Sequence, residues 1–546
     1  MESVNLSWKK GAHSIRFGAE LFHYSIINSA ANSTVGVRGG FVFSGGLTAL
    51  NGGASPNLYN AWGDFLLGLP TAIDKDHQNV DPAAMLESSY GFYVRDQWQV
   101  SPKLTVTYGI RYEIYPYSHA EHGIDGIHYD PATNIVHLSG VNVDTGHGYI
   151  APRLGIAYRL DAKTVVRAGY GINTNAETFR NNVQTYPQVI SQQYSGASSY
   201  AAAGSLATGI PAFTGPVLSS GQVVLPPNYG SWSYPTPYHR GYAETYNFTI
   251  QRDLGSGFNL QAGYVGTSDI RPSGGVNINA APPGVGKSGQ PLFILYGNAS
   301  VISSMEPIDG SRYNSLQVRA THRSGNATYG ASYTFSKALD ATDNEEGSAL
   351  TWNWTPMLYR NYALASYDRT HNFQLYGTYI LPFGKGQRIL SRGIAAAIAG
   401  GWQVNAVMSR TSGQPFTVSA SATSLNSPGN TQTANQVVAN VNIPGGHGTG
   451  QPYFDPNGFA AVTTPTFGNS GRDILRGPGV FNLDASLFRN FDVRERLKVQ
   501  FRAESLGLTN TPQFAIPGAT LGTATYDVIS TSTGERQIRF ALKLMF

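Results

Sequence analysis

Two groups of side chains in the sequence are of the types that bind metal ions. The first group lies in the stretch HAEHGIDGIHYD and consists of His119, Glu121, His122, Asp125, His128 and Asp130. The second is an acidic cluster that consists of Asp340, Asp343, Asn344, Glu345 and Glu346. Imidazole and carboxylate are good ligands, but the first spacing matches no closed tetrahedral zinc pattern and the second is not that of a calcium-binding loop. We therefore expect two solvated loops, and the sequence predicts no metal and no cofactor.

The sequence contains no complete motif for nucleotide binding or catalysis. The stretch PPGVGKSG, residues 282–289, contains the Gly-Lys-Ser of a phosphate-binding loop, but the glycine required five positions before Gly286 is Ala281. No nucleophile elbow or zinc-protease helix is present. The sequence contains no cysteine, which excludes disulfide bonds and thiolate metal sites. The net charge of +4 is too small and too evenly spread to indicate nucleic-acid binding. The sequence therefore predicts a protein that is not an enzyme and does not bind nucleic acid.

The loop NYGSWSYPTPYHRGY, residues 228–242, is the best candidate for contact with a ligand. The candidate contact residues are Tyr229, Trp232, Tyr234 and Tyr238. Aromatic rings stack on sugar faces and on aryl ligands. Aromatic residues also form the girdles at the two edges of membrane-spanning barrels, which is the alternative interpretation of this loop.

The strand pattern is clearest at the end of the chain. The last eleven residues alternate strictly, with Ile538, Phe540, Leu542, Leu544 and Phe546 on one side and Gln537, Arg539, Ala541, Lys543 and Met545 on the other. A period of two indicates a β-strand with one apolar face. The last strand of a soluble β-sandwich would alternate in the same way as a strand of a membrane-spanning barrel. Other features must therefore separate these two classes.

Strand length separates membrane-spanning barrels from soluble β-sandwiches. Residues 103–115 alternate over twelve positions, whereas strands of soluble proteins usually have about 5–6 residues and tilted membrane strands roughly 9–11. The same pattern recurs in hairpins near residues 4–21, 90–115, 154–172, 246–264, 316–335, 373–408 and 481–503. A shorter pattern covers 37–44, and the apolar stretch AWGDFLLGLP, residues 61–70, is predicted to be a turn packed at a barrel rim.

Composition and connection lengths favour a barrel. Only 13% of the residues are charged, against about 25% in typical soluble domains, while glycine and tyrosine are abundant, at 63 and 32 residues. Short turns alternate with long polar connections at 116–150, 175–241, 269–311, 338–365, 411–477 and 507–535. Outer-membrane barrels have short periplasmic turns and long extracellular loops. We therefore predict an all-β, antiparallel up-and-down transmembrane barrel that spans residues 1–546.

Cationic side chains fall on the polar faces of the predicted strands and would line the lumen. They are Arg111, Arg167, Arg319, Arg502, Arg539 and Lys543. The simplest expectation is that they pair with Glu113, Glu504 and residues of a plug inside the barrel. A role in the passage of a substrate is the alternative.

The strand count is roughly seventeen, against the even numbers of single-chain bacterial barrels and the 22 strands of outer-membrane transporters. With a periplasmic C-terminus, an odd count places Met1 at the extracellular rim. Residues 1–24 do not form a signal peptide, because Lys9, Lys10, Arg16 and Glu20 interrupt any apolar core. We therefore expect the chain to lack its signal and its N-terminal strands. No apolar run approaches the roughly 18 residues of a membrane-spanning helix.

Several stretches together resemble one known family. They are WGDFLLGLP (62–70), FYVRDQWQVSPKLTVTYGIRYE (92–113), APRLGIAYRLDAKTVVRAGYGI (151–172), YNSLQVRATHRSGNATYGASYTFSKALD (313–340), LPFGKGQR (381–388), GGWQVN (400–405) and RQIRFALKLMF (536–546). The set is similar to the C-terminal barrel of TonB-dependent outer-membrane receptors, in particular the Oar-like branch abundant in Acidobacteria. One departure is RAESLGLTN (502–510), where many relatives carry a Phe-Asn-rich segment.

The resemblance implies a function and a set of partners. It implies uptake of an extracellular ligand, such as a siderophore or an oligosaccharide, across the bacterial outer membrane. It implies contact with outer-membrane lipid, and recognition of Phe540, Leu542, Leu544 and Phe546 by the barrel assembly machinery. The TonB complex would act only through an N-terminal part with a plug, which this chain does not show. A non-energised structural or adhesive barrel is the alternative function, and a soluble all-β binding protein is a third.

Overall fold

One large antiparallel sheet dominates the computed structural model of the chain. The structure describes residues 1–28, 36–45, 47–48, 58–120, 127–138, 143–176, 179, 185–195, 201–227, 229–343, 350–384, 387, 389–422, 424–443, 448–494 and 497–546. Among these residues, no helix is long and apolar enough to cross a membrane.

Fifteen strands of 9 to 19 residues form the body of the sheet. In chain order they are β1 (Glu2–Lys10), β2 (His13–Asn28), β3 (Ala83–Ser101), β4 (Leu104–Ile114), β5 (Tyr149–Arg159), β6 (Thr164–Thr174), β7 (Tyr242–Gly255), β8 (Phe258–Ile270), β9 (Arg312–Ser324), β10 (Ala327–Asp340), β11 (His371–Ile380), β12 (Trp402–Thr411), β13 (Val480–Arg494), β14 (Leu497–Leu506) and β15 (Gln537–Met545). Each strand pairs antiparallel with the next one along the chain, from β1 at one edge to β15 at the other. The up-and-down order confirms the predicted all-β topology.

Two strands of two residues each, His119–Ala120 and Ala363–Leu364, also pair with this sheet and bring its strand number to 17. The sequence predicted roughly this number. However, only fifteen of the strands run the length of the sheet.

The two faces of the sheet differ in chemistry as the period of two predicts. One face carries large apolar side chains that are exposed, among them Val4, Leu6, Phe17, Phe92, Val94, Ile110, Leu154, Phe248, Ile250, Leu316, Leu375, Val404, Ile538, Phe540, Leu542 and Leu544. Soluble proteins rarely expose a contiguous apolar surface of this extent. An apolar band on the outer face is what a strand-built membrane protein presents to lipid.

The connections between the strands are sorted by length onto the two ends of the sheet. Short turns at 11–12, 102–103, 160–163, 256–257 and 325–326 lie at the same end as the C-terminus. The long connections, 29–82, 115–148, 175–241, 271–311, 341–370, 412–479 and 507–536, lie at the other end. The segment 381–401 is the one longer link at the short-turn end within the described sheet, and it contains a helix at Gly393–Ala399.

The remaining elements are short. The helices are α1 (Leu58–Leu66), α2 (Pro291–Tyr296) and α3 (Gly393–Ala399), and 3-10 helices span Gly286–Gly289 and Thr355–Asn361. Helix α1 corrects the prediction of a turn at residues 61–70, because the first half of that stretch is helical.

The short strands outside the main sheet form six small sheets. Three have three strands: Gly40–Val42, Ala72–Gln78 and Val189–Ser195; His128–Asp130, Ile135–His137 and Gln222–Val224; and Ser231–Ser233, Ser273–Asn277 and Ile302–Pro307. The other three have two strands: Pro415–Phe416 and Leu475–Arg476; Asn435–Gln436 and Phe459–Ala460; and Gln513–Phe514 and Ser532–Thr533. The pattern noted at 37–44 thus yields a strand of three residues that lies outside the main sheet.

The buried apolar cores lie mainly in the long connections, which we call the cap, and the second core also includes Ala83 and Met85 at the start of β3. One core surrounds Tyr129, Leu225 and Ile302, and a second surrounds Phe179, Tyr234 and Tyr238. A third core contains Phe416, Val418, Ala434, Val441, Phe454 and Phe459. The long connections are therefore folded structure with interiors of their own, at the end of the sheet opposite the short turns.

Candidate functional site

The polar face of the sheet is the first surface that could contact a ligand, and Arg111 lies on it in a group of charged side chains. The Arg111 guanidinium is 2.7 Å from Glu113 on the same strand and 2.7 Å from Glu20 on β2. The pair with Glu113 confirms the sequence prediction. Glu20 was missed because its partner is 91 residues away in sequence, although it falls on the polar side of its alternating strand.

The other predicted cations also lie on this face, and most of their partners are neutral. The Arg167 guanidinium donates to Gln251 over 2.9 Å, and that of Arg319 donates to the Tyr376 hydroxyl over 3.3 Å. Arg502 is 3.9 Å from Glu504, which confirms the predicted pairing. Arg539 donates to Gln537 over 3.4 Å, and Lys543 is in register with Gln500.

Further arginines on this face were not singled out from the sequence, and three of them lie on strands near Arg111. These three are Arg16 on β2, Arg95 on β3 and Arg153 on β5, and all three are exposed. The alternation of their strands was visible in the sequence. What the sequence did not show is the register that makes them neighbours.

The cap is the second candidate surface, and it contains the predicted aromatic contact residues. Tyr234 and Tyr238 are each 2% exposed, and both rings pack against Phe179. The Tyr238 hydroxyl lies 3.0 Å from the Ser273 hydroxyl. These two rings therefore build the second core of the cap and offer little free surface.

Tyr229 and Trp232 are partly buried at the margins of the cap cores. The Tyr229 ring lies 5.3 Å from that of Tyr186, and burial raises the pKa of Tyr229 and raises that of Tyr186 to about 12. Ligand contact by the four aromatic residues stays a prediction, and Tyr229 and Trp232 are the pair that retain surface for it.

A buried arginine ties the aromatic loop to the end of the sheet. The Arg240 guanidinium carbon is 4.8 Å from the centre of the Tyr115 ring and 5.2 Å from that of Phe179. Contacts of a cation with ring faces are favourable, and more so when they are removed from water. Arg240 is 4% exposed, so it acts here as part of the packed interior.

Those potential metal ligands that the structure describes are dispersed or paired with other groups. Within the described residues, no group of three or more histidines and carboxylates is placed to hold a metal ion. Glu121, His122 and Asp125 of the first cluster, and Asn344, Glu345 and Glu346 of the second, lie outside the described residues. His119 belongs to a short strand of the main sheet, whereas His128 and Asp130 belong to a small cap sheet. Burial lowers the pKa of His128.

The two described aspartates of the acidic cluster face an arginine. Asp340 forms an ion pair with Arg472 in which both side chains are buried, and Asp343 lies 3.7 Å from the same guanidinium. Arg472 also lies 3.9 Å from Asp473. This network joins the end of β10 to the connection 412–479, which is a structural use of the acidic residues.

The Gly-Lys-Ser stretch is a structured part of the cap. The Gly286 N–H donates to the Asn426 carbonyl over 2.8 Å, and the Ser288 hydroxyl donates to the Val285 carbonyl over 2.8 Å. Residues Gly286–Gly289 form a 3-10 helix and follow a cap connection, not a strand of the main sheet. The strand-to-helix setting of a phosphate-binding loop is therefore not found here.

The predicted assembly residues lie along the edge strand β15. Phe540 and Leu542 are each 72% exposed, Leu544 is 61% exposed and Phe546 is fully exposed. The Phe540 ring packs against Phe501 on β14, with 6.4 Å between ring centres. Their recognition by an assembly machinery stays a prediction.

Several solved structures of outer-membrane proteins are similar to this chain. The outer membrane transporter YddB from Escherichia coli aligns with a TM-score of 0.52 at 10% identity, over 100% of this chain and 53% of that chain. The ferric enterobactin receptor PfeA from Pseudomonas aeruginosa aligns with a TM-score of 0.47 at 10% identity, over 100% and 53% of the two chains. The siderophore receptor PiuA from Acinetobacter baumannii aligns with a TM-score of 0.44 at 12% identity, over 99% and 54%. At these identities the likeness concerns the fold alone.

The chain spans about half the length of these solved structures. No curated protein sequence matches it. Residues 2–539, which include nearly every strand of the main sheet, match the family described as the outer membrane beta barrel domain. The chain therefore belongs to the outer membrane beta barrel domain family and is a protein of the bacterial outer membrane.

Proposed function

We propose that this chain is the barrel of an outer-membrane receptor that takes up an extracellular ligand, of the TonB-dependent, Oar-like type. The observation that carries the proposal is the combination of a polar, arginine-bearing inner face with a folded cap at the end of the long connections. A barrel that only anchors a protein in the membrane needs neither a charged lumen wall nor packed loops.

The cap supports binding of a ligand from outside the cell. Its three cores fix the positions of connections that would otherwise move, and preorganised loops lose less conformational entropy when a ligand binds. Tyr229 and Trp232 offer partly exposed rings on such fixed connections. We propose these two residues, with Tyr234 and Tyr238 behind them, as the first contact for a sugar or aryl group.

The lumen wall supports passage of a polar molecule. The inner faces of β8, β9, β10 and β11 carry neutral polar groups such as Gln261, Gln317, Thr334 and Gln374, and β2 to β5 carry arginines. Hydrogen-bonding and charged groups along a lumen tune its selectivity. Energisation by the TonB complex, the partner of this receptor type, would act through segments outside the strands described here.

Uptake in the native host tests the proposal. The coding region is deleted, and the accumulation of labelled ferric siderophores and oligosaccharides is compared in deletion, complemented and parent cells. We expect deletion to lower the accumulation of one ligand class and complementation to restore it, and a protonophore to abolish the difference. If the deletion changes the attachment of cells to surfaces while uptake of every ligand is unchanged, the adhesive function replaces the transport function.

A further inference from the structure

Three arginines lie in one row across neighbouring strands on the inner face. Arg16 is directly opposite Arg95, Arg95 is opposite Gly109, and Gly109 is opposite Arg153. Side chains directly opposite on antiparallel strands have their Cβ atoms about 4.5–5.5 Å apart. We call Arg16, Arg95 and Arg153 the arginine row.

The positive charge of the row is not neutralised by the neighbouring residues. The carboxylates of Glu20 on β2 and Glu113 on β4, on the same face, are both hydrogen-bonded to Arg111. Arg153 donates to the neutral side chain of Asn173 over 2.7 Å. Within the described residues, Arg16 and Arg95 make no ion pair or side-chain hydrogen bond. Four guanidinium groups against two carboxylates leave two net positive charges on this part of the wall.

Gly109 keeps open the space between Arg95 and Arg153. A Cβ atom at this position would lie 2.7 Å from the Val94 carbonyl oxygen, which is too close for packing, and 3.1 Å from the Arg95 Cα, which is a tight contact. The row and its neighbours Glu20, Tyr93 and Arg111 line one concavity of the wall. This concavity therefore has guanidinium groups on both sides of Gly109, which has no side chain.

Like charges directly opposite on paired strands are destabilising, so an unneutralised row disfavours the folded sheet unless something compensates it. Guanidinium groups bind carboxylate and phosphate through paired hydrogen bonds, and several of them converge where a multiply charged anion is held. We propose that the arginine row binds a small molecule that carries two or more carboxylate or phosphate groups. The inference rests on the proposed uptake function and narrows its ligand to the anionic class.

Direct titration of the purified full chain in detergent tests the row, with inorganic pyrophosphate and tricarballylate as probes and calorimetry as the readout. We expect both probes to bind the wild-type chain, with an affinity that falls steeply between 50 and 300 mM salt, as charge pairing requires. The double variant Arg16→Gln, Arg95→Gln should bind at least tenfold more weakly. Arg95→Lys, which keeps the charge but loses the planar fork, should be intermediate.

Arg323→Gln is the matched control, because Arg323 is an exposed arginine of the same inner face but lies on β9, outside the row. It should bind the probes as the wild type does, and circular dichroism should show equal strand content in all variants. The proposal is overturned if the wild type binds neither probe, or if the row variants and Arg323→Gln lose affinity equally. Carboxylates of another protein segment would then be the natural occupant of the row.

The titration and the uptake experiment can fail separately. If the probes bind the row but deletion of the gene alters no uptake, the anion site stands and the transport function fails. If uptake depends on the protein but neither probe binds, the transported ligand is not an anion held by this row.

Discussion

Two neighbouring residues of the last strand, Leu542 and Lys543, are both exposed but lie on opposite faces of the sheet. Leu542 is 72% exposed on the apolar face and is in register with Phe501, whereas Lys543 is in register with Gln500 on the polar face. The sequence predicted this division from period two alone. It did so because the side-chain direction of a strand is a local property that needs no knowledge of the partner strands.

Substitution of these neighbours tests which face meets lipid. Leu542→Lys should lower the free energy of unfolding by about 2–4 kcal/mol, the range for a cation placed at the bilayer midplane. Lys543→Leu should lower the free energy of unfolding much less, because residue 543 faces the lumen and the substitution places no charge in lipid. Denaturant unfolding in liposomes measures both. Equal effects of the two substitutions would mean that the assignment of one face to lipid and the other to the lumen is wrong.

Asp527 shows which residue-scale features were out of reach of the sequence. Its carboxylate is 2% exposed and accepts N–H groups from Tyr453, over 2.9 Å, and Phe454, over 2.7 Å. Burial, together with the nearby Asp455, raises its pKa above the usual 3.8, although the two N–H donors oppose the shift. The partners lie more than seventy positions away, so no local pattern indicated them.

The raised pKa gives the cap a predicted pH dependence. The folded state holds the Asp527 proton to higher pH than the unfolded state does, so the free energy of unfolding falls as pH rises from about 3.8 through the native pKa. Asp527→Asn keeps the acceptor oxygen and removes the ionisation. Relative to the wild type, this variant should therefore gain stability between about pH 4 and neutral pH, as measured by hydrogen exchange of residues 449–456.

Asp309→Asn is the control, because Asp309 is an exposed carboxylate of a different connection. It should leave the exchange profile of these residues unchanged at every pH. A wild-type cap that becomes more stable as pH rises, relative to Asp527→Asn, would contradict the assigned direction of the pKa shift.

At the scale of elements, helix α3 departs from the simple hairpin that joins most strands at the short-turn end. Trp402 Nε1 donates to the Ile398 carbonyl over 3.1 Å, and an Arg489 guanidinium nitrogen donates to the same oxygen over 2.7 Å. A second nitrogen of Arg489 donates to the Ala397 carbonyl. Ile394 and Ile398 are 80% and 66% exposed. Helix α3 is therefore held to β12 and β13 by the hydrogen bonds to its last turn rather than by apolar burial.

Removal of Arg489 should release this helix. In Arg489→Ala the carbonyl groups of Ala397 and Ile398 lose charged donors, each worth about 1.5–3 kcal/mol. Hydrogen exchange of residues 393–401 should become faster by at least tenfold, while exchange in the strands β12 and β13 is unchanged.

Arg410→Ala removes an arginine from the other end of β12 and is the matched control. It should not affect exchange in the helix. Equal protection of residues 393–401 in Arg489→Ala and the wild type would show that the helix is held by other contacts.

Element prediction succeeded for the strands and failed for the helices and the cap. The long strands were found because their alternation is repeated over nine or more residues. The apolar stretch at residues 61–70 was predicted as a turn packed at a barrel rim, but its first half is helical. Asp64 in this helix accepts the N–H groups of Gly45 and Thr48. Contacts of this kind between separate segments are absent from local patterns.

The whole molecule combines two parts, the main sheet and the cap, and different surroundings stabilise each of them. The strands expose apolar side chains and depend on lipid, whereas the cap buries Tyr129, Trp352 and Phe454 in interiors of its own. The sequence predicted where the cap connections lie but not that they are packed, because each core joins residues that are far apart in sequence. Tyr129, for example, shares a core with Leu225 and Ile302.

This division predicts that the cap can be weakened without releasing the sheet from the membrane. Phe454 is 2% exposed and packs against Phe459 and Tyr526 in the third core, so Phe454→Ala should destabilise the cap by about 3–5 kcal/mol. Limited proteolysis in liposomes should then cut within 412–479, while the strands stay protected. Phe248→Ala, on the lipid-facing side of β7, should leave the cap resistant to protease. If in Phe454→Ala the cap and the strands instead unfold at the same denaturant concentration, the cap and the sheet fold as one cooperative unit. The lumen and the cap are then not separable parts of the receptor.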